Sequence, residues 1–214
     1  MTFAFCSQRP LSCETDSILT CGQGIDGITR TVRTDQHNVL ASLPSSSTHS
    51  QIGRLFSVRD GGSLGPADIF SHLIIFSNPP DSGRIMYLNS VICGTNILPP
   101  DTPVNYVSSV GVDLIANPLF IIFEELTPHN LNLGSSVTSA MLVGAHPQQN
   151  GGSSFFSTIQ VSNTLELRFN GEIIIPPDRN IAVRIRTFGL SPASPEVVQF
   201  EMTVTWYELD VPGV

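Results

Sequence analysis

Apolar and polar residues alternate along most of this chain in short runs separated by turn-forming residues, and almost nowhere do apolar residues recur at helical spacing. A period of two marks a strand with one buried face, whereas an amphipathic helix needs spacings of three and four. The longest alternation closes the sequence: Val198, Phe200, Met202, Val204 and Trp206 interleave with Gln199, Glu201, Thr203, Thr205 and Tyr207. Ile181, Val183 and Ile185 alternate in the same way with Ala182, Arg184 and Arg186. Between Thr164–Phe169 and Glu172–Ile175 stands Asn170-Gly171, a pair that tolerates positive φ at both positions. That stretch predicts a type I′ hairpin with Leu167 facing Ile174, Glu166 and Arg168 on the other face, and Pro176-Pro177 ending the second strand. Ile69–Phe76, Arg84–Thr95 and Leu119–Leu126 predict further strands, and Ile52–Val58, Val137–Val143 and Phe155–Val161 show the pattern less fully.

About eight strands at spacings near ten residues, punctuated by Pro/Gly-rich turns, define an all-β chain: an antiparallel, jelly-roll-like β-sandwich. Leu167, Ile174, Val183, Ile185, Phe200, Met202, Val204 and Trp206 are its expected inward residues. The first fifty residues differ. They hold few large apolar side chains and end in the linker-like Leu43-Pro-Ser-Ser-Ser-Thr-His-Ser50, so residues 1–50 read as an extended, cysteine-bearing N-terminal connector arm and 51–214 as the sandwich domain.

Charge narrows the functions open to such a fold. Only 13% of the 214 residues are charged, the net charge is −8, and every basic residue is arginine. Without a basic stripe there is no electrostatic footprint for nucleic acid or an anionic membrane, and without lysine there is no P-loop and no Schiff-base nucleophile. The best apolar run, Leu114–Phe123, is interrupted by Asn117-Pro118 and falls well short of the roughly 20 residues of a spanning helix, so no membrane insertion is expected. Met1–Arg9 shows neither the basic start nor the apolar run of a secretory signal.

Cys6, Cys13 and Cys21 crowd the amino-terminal 21 residues, and Cys93 stands alone in the apolar Val91-Ile-Cys-Gly94. Six- and seven-residue spacings do not suit a zinc site. Three clustered cysteines leave an odd thiol that invites a partner on another chain. All four are candidates for inter-subunit disulfides, with Cys93 as acceptor if its position near a strand end leaves the sulfur at an edge.

Candidate catalytic groupings are sparse. Gly61-Gly-Ser63-Leu-Gly65 matches the G-x-S-x-G pattern, but Pro66 follows directly and no α/β alternation surrounds it, so a glycine-rich loop is expected in place of a nucleophile elbow. Adjacent Glu124 and Glu125 point to opposite faces of a strand. His37, His49, His72, His129 and His146 are scattered, most near loops and expected to be solvated, with His72 half-buried beside the core. We therefore expect no enzyme, no cofactor and no metal.

Asn78-Pro-Pro-Asp-Ser-Gly-Arg-Ile-Met-Tyr-Leu-Asn-Ser-Val91, the Thr164–Pro177 stretch and the closing Phe200-Glu-Met-Thr-Val-Thr-Trp-Tyr-Glu208 resemble small β-sandwich proteins of spore-forming Firmicutes over roughly residues 65–208. The overall plan resembles endospore appendage subunits, although this chain is longer than those and its cysteines are not adjacent. The resemblance implies a jelly-roll subunit made in the cytoplasm without a signal peptide. Mother-cell lysis would release it to the spore surface, where N-terminal connectors would join copies into a disulfide-locked filament. Its partner would be itself. The alternative is a carbohydrate- or receptor-binding jelly roll at a fibre or phage-tail tip, for which Phe155-Phe156 beside Gly151-Gly152 would be the exposed aromatic mark.

Overall fold

The computed structural model describes residues 19–23, 29–33, 45–64, 71–98, 109–119, 121, 124–146, 151–160, 164–188 and 197–211. The chain divides into two compact units, residues 1–44 and 45–214. In the first, β1 (Leu19–Gln23) and β2 (Thr29–Arg33) pair as an antiparallel hairpin, with the Cys21 backbone opposite Thr31. The remaining residues of the expected arm up to position 44, Cys6 and Cys13 among them, lie outside the described residues.

The second unit is a sandwich of two antiparallel sheets. One has the order β11-β5-β13-β3-β8 and the other β10-β6-β12-β4-β9-β7. Here β3 is Leu55–Leu64, β4 Ser71–Asn78, β5 Arg84–Leu98, β6 Ser109–Ala116, β7 Glu124–Glu125, β8 His129–Asn130 and β9 Leu142–His146. The series closes with β10 Ser153–Gln160, β11 Thr164–Ile175, β12 Arg179–Phe188 and β13 Val197–Asp210. Successive strands from β3 to β6, and again from β10 to β13, alternate between the sheets, so β11-β5-β13-β3 and β10-β6-β12-β4 form the two halves of a jelly roll. The connection from β6 to β10 supplies β7, β8 and β9. These short strands cover one flank of each sheet, against β3 and β4, while β11 and β10 each have a strand on one side only among the described residues.

The core lies between the sheets. Val183, Ile185, Phe200, Met202, Val204 and Trp206 all point into it and are buried, as their alternation predicts. Trp206 is at its centre, with Phe56 stacked at 6.0 Å and Phe76 edge-on at 5.2 Å. Truncating a side chain of this set, such as Phe200, removes apolar contact worth about 3–5 kcal/mol.

Several local expectations are overturned by pairing that sequence proximity does not reveal. Thr164–Ile175 is one continuous strand and not a hairpin. Both of its halves pair with β5, and the register passes from Arg168 opposite Ser90 to Ile173 opposite Leu88. Asn170 (φ 50°) and Gly171 (φ 84°) do use left-handed backbone, but they form a bulge. A side chain at Gly171 would collide with the Tyr207 hydroxyl, which lies against that bulge. Leu167 consequently faces Val91, and Ile174 points to solvent at 54% exposure. The serine-rich linker is in fact a helix, α1 (Ser45–Gln51). Of the described residues in Leu119–Leu126 only Glu124–Glu125 forms a strand, and the Val137–Val143 strand begins at Leu142. The expected glycine loop Gly61-Gly62-Ser63 continues β3 along β13. Strand β6, broken by Gly111 and Asp113 in the sequence, is the element that the alternation rule did not reveal.

Candidate functional site

Strand periodicity carries three acidic residues onto buried faces, and each is handled differently. In β3 the inward phase Phe56, Val58 brings Asp60 inside the sandwich, where Oδ1 accepts from the Gly61 N–H (2.8 Å) and Oδ2 meets His72 Nε2 of β4 at 2.5 Å. This pair links the two sheets, and the His72 ring lies 4.7 Å from that of Phe200. Near it is a cleft of about 900 Å³ lined by Asp60, Gly62, Thr95, Phe200, Glu201 and Glu124, among others. Thr95 is 5% exposed and its hydroxyl has no hydrogen-bond partner, although it lines this cleft. Arg59 and Glu201 pair at the rim across 2.6 Å, both well exposed. The lining offers three carboxylates, of which Glu201 is paired with Arg59 and Asp60 with His72, together with a free hydroxyl and peptide groups, a set that can hydrogen-bond a polar ligand carrying donor groups.

In β13 the same phase brings Glu208 inside beyond Trp206. Its carboxylate is fully buried and accepts from Trp206 Nε1 (3.0 Å), the Ser139 hydroxyl (2.5 Å) and the Ala140 N–H (3.0 Å), with Arg84 at 3.5 Å. These bonds fasten the β6–β10 connection to the sheet. Asp113 lies on the outward phase of β6, yet only 1% of its side chain is exposed, and both Arg184 and Arg186 of β12 reach it. Burial alone would raise its pKa. Hydrogen bonds from Ser157, Arg186 and Arg184, with the Arg184 charge, outweigh burial and hold it below the usual carboxylate range.

Cys93 corrects an expectation. Strand β5 lies between β11 and β13, so its residues occupy no edge, and Cys93 points into the core at 1% exposure. Burial pushes its thiol up to about 11, against a smaller opposing effect of the Leu165 backbone hydrogen bond. A buried thiol of that pKa has almost no thiolate to react, so Cys93 is a packing residue and no acceptor for a neighbour's sulfur.

Other sequence candidates separate in space. Ser63 lies on the exposed part of β3, Glu124 and Glu125 are both exposed on β7, and Phe155 is half-exposed while Phe156 packs edge-on against Phe169 at 5.4 Å. His72 is half-buried, as expected, and His129 is exposed, but His49 is buried on Tyr207 and not solvated; His37 lies outside the described residues. Asp60, Thr95 and Asp113 escaped the sequence reading. Extending the Phe56–Val58 phase through the glycines would have found the first. The other two look like ordinary polar positions until the neighbouring strands are known. No helix among the described residues is long and apolar enough to cross a membrane, and no group of three or more His, Cys, Asp or Glu among them could hold a metal ion. No protein-family model and no curated protein matches the chain.

Proposed function

We propose that this protein is a structural subunit that assembles with copies of itself into an extracellular or spore-surface filament. The N-terminal unit would join one sandwich to the next, and Cys6, Cys13 and Cys21 would supply bonds between chains. The observation that carries this reading is the open flank of the sandwich. Strand β11 runs for twelve residues with β5 on one side and no described strand on the other. A long unpaired edge is a template for strand addition, and a head-to-tail contact made there propagates as a fibre when its rotation does not close a ring. The separate unit of residues 1–44 gives each subunit a segment that its own sandwich does not include, and the resemblance to endospore appendage subunits points the same way. Negative-stain microscopy of the intact chain and of a chain lacking residues 1–20 tests it, with and without reductant. The intact chain should form filaments whose resistance to detergent falls on reduction, and the shortened one should remain a folded monomer. Filaments of normal length from the shortened chain remove the arm from the mechanism.

The unpartnered Thr95 hydroxyl in the Asp60 cleft favours a second reading, a ligand-binding jelly roll at a fibre tip. Saturation-transfer NMR with a panel of neutral mono- and disaccharides separates the two. Transfer abolished by Thr95→Val would support the binding module, and a silent panel together with filaments would support the subunit.

A further inference from the structure

Helix α1 is the first element of the sandwich unit, so the chain from residues 1–44 enters the sandwich through it. Its contact is aromatic. The His49 ring stacks on Tyr207 with centroids 3.9 Å apart and planes 11° from parallel, and Tyr207 stacks in turn on Tyr87 at 5.0 Å and 6°. His49 is 6% exposed and its Nδ1 is buried without a hydrogen-bond partner. The helix is otherwise held by polar contacts at its end, with Arg54 N–H donating to the His49 carbonyl (2.8 Å) and Asn132 Nδ2 to that of Gln51 (3.3 Å). From this geometry we infer that His49 is a pH-sensitive fastening: neutral, its ring clamps α1 to the tyrosine pair, and protonated, it releases the helix and loosens the attachment of the N-terminal segment.

Among the described residues, the groups around the ring give it no counter-charge. Arg54, which begins the path into β3, is engaged with Asp210 through two bonds of 2.8 and 2.9 Å. On β13, Glu208 is turned to the opposite face, bonded to Trp206 and Ser139, and Tyr207 is uncharged because burial, with the neighbouring Tyr87, raises its pKa. Tyr87 on β5 is the only titratable group behind Tyr207 in the stack. His129 on β8 is exposed. A protonated His49 would gain a cation–π attraction to Tyr207. Its Nδ1 is shut off from water, however, and a buried N–H cation lacking an acceptor loses more by desolvation than the ring face returns. Burial accordingly lowers the His49 pKa. The sign follows: a base whose folded pKa lies below its unfolded value binds more protons when released, so docking is complete above the ordinary histidine pKa and is lost as pH falls below it. This inference concerns the joint alone and stands whether or not the subunits polymerise.

Hydrogen–deuterium exchange of the intact chain provides the test, followed on peptides spanning residues 45–54 at about pH 7.5 and about pH 5 after correction for the intrinsic rate. Protection of this stretch should fall several-fold at the lower pH while peptides of β6 and β12 keep theirs. His49→Phe retains a stacking ring that cannot take a proton and should hold its protection at both. NMR titration of the wild-type ring, assigned by comparison with His49→Gln, should place its midpoint below the ordinary value, and this decides the matter if the phenylalanine variant does not fold. A midpoint at or above the ordinary histidine value, or an equal loss of protection in His49→Phe, overturns the proposal.

Discussion

The two ends of the sandwich solve the same problem in different ways. At the end where β4 meets β5, the two side chains that turn into the core, Asn78 and Glu208, are matched. Asn78 Nδ2 donates to the carbonyls of Arg84 (2.8 Å) and Ile175 (2.9 Å), its Oδ1 accepts from Ser82 (2.6 Å), and its own carbonyl accepts from Asp178 N–H (2.8 Å). A few residues away Glu208 accepts from three donors on two segments. At the opposite end, marked by Phe200, the inward polar groups are Asp60, His72 and Thr95, and the last of these is left without a partner. Buried polar groups stabilise a fold when satisfied and cost it when not. The first end therefore reads as a structural lock, and the second as the place where the protein tolerates a local loss. Such a loss is common where a surface is kept for something other than folding.

Three substitutions sharpen or break that contrast. The largest effect is expected from Glu208→Ala, which strands the Trp206, Ser139 and Ala140 donors at a fully buried site. Breaking a buried charged network of this kind costs about 3–5 kcal/mol, read as a lower urea midpoint together with loss of the near-UV signal of Trp206. A midpoint within error of the wild type would mean that the lock is ornamental. Asn78→Ala should cost less, about 1–3 kcal/mol, because it removes a neutral amide and orphans the Ile175 carbonyl, while that of Arg84 keeps the Ser82 hydroxyl (3.3 Å). Its deficit should add to a core substitution at the far end, such as Phe200→Ala, since sites that share no partner are independent. The smallest change is Thr95→Val. Replacing an unpartnered buried hydroxyl by a methyl group should be neutral or stabilising by up to about 1 kcal/mol. A clear loss of stability there would show that the hydroxyl has a partner and that the two ends are alike.

The two ends also differ in how far they could be read from the chain. Asn78-Pro-Pro-Asp-Ser-Gly is a local turn: Ser82, two peptide groups and Asn78 lie within six residues of one another, and Gly83 takes the positive φ (63°) that the turn requires. Such chemistry is written in consecutive residues. The Asp60–His72–Thr95 group draws one residue from each of three strands: through β13, Asp60 of β3 is level with Cys93 of β5, two residues from Thr95, and His72 reaches Asp60 from the facing sheet. The Asn170-Gly171 stretch shows the limit from the other side. Its backbone preference was read correctly, yet a local preference for positive φ does not say whether the flanking strands pair with each other or with a third. Strand β5, long enough to hold both halves, decided for the bulge.

Alternation by itself determined that this protein is an all-β sandwich and which residues of β12 and β13 fill it, because a period of two leaves only one arrangement that buries Val183, Ile185, Phe200, Met202, Val204 and Trp206 together. The tertiary structure decided what the alternation could not reach. It put Cys93 in the core by turning that face of β5 onto the facing sheet, whereas the adjacent Ile92 on the outer face is 41% exposed. It exposed Ile174 by continuing β11 through Asn170-Gly171, so that Leu165, Leu167, Phe169, Ile173 and Ile175 share the inner face and Ile174 falls on the other. It turned a serine-rich stretch into a helix held by one histidine, because Tyr207 and Tyr87 offered a flat apolar face there. In each case the physical reason is the same: burial is a property of the neighbours that a residue acquires across strands, and those neighbours lie far from it in the sequence.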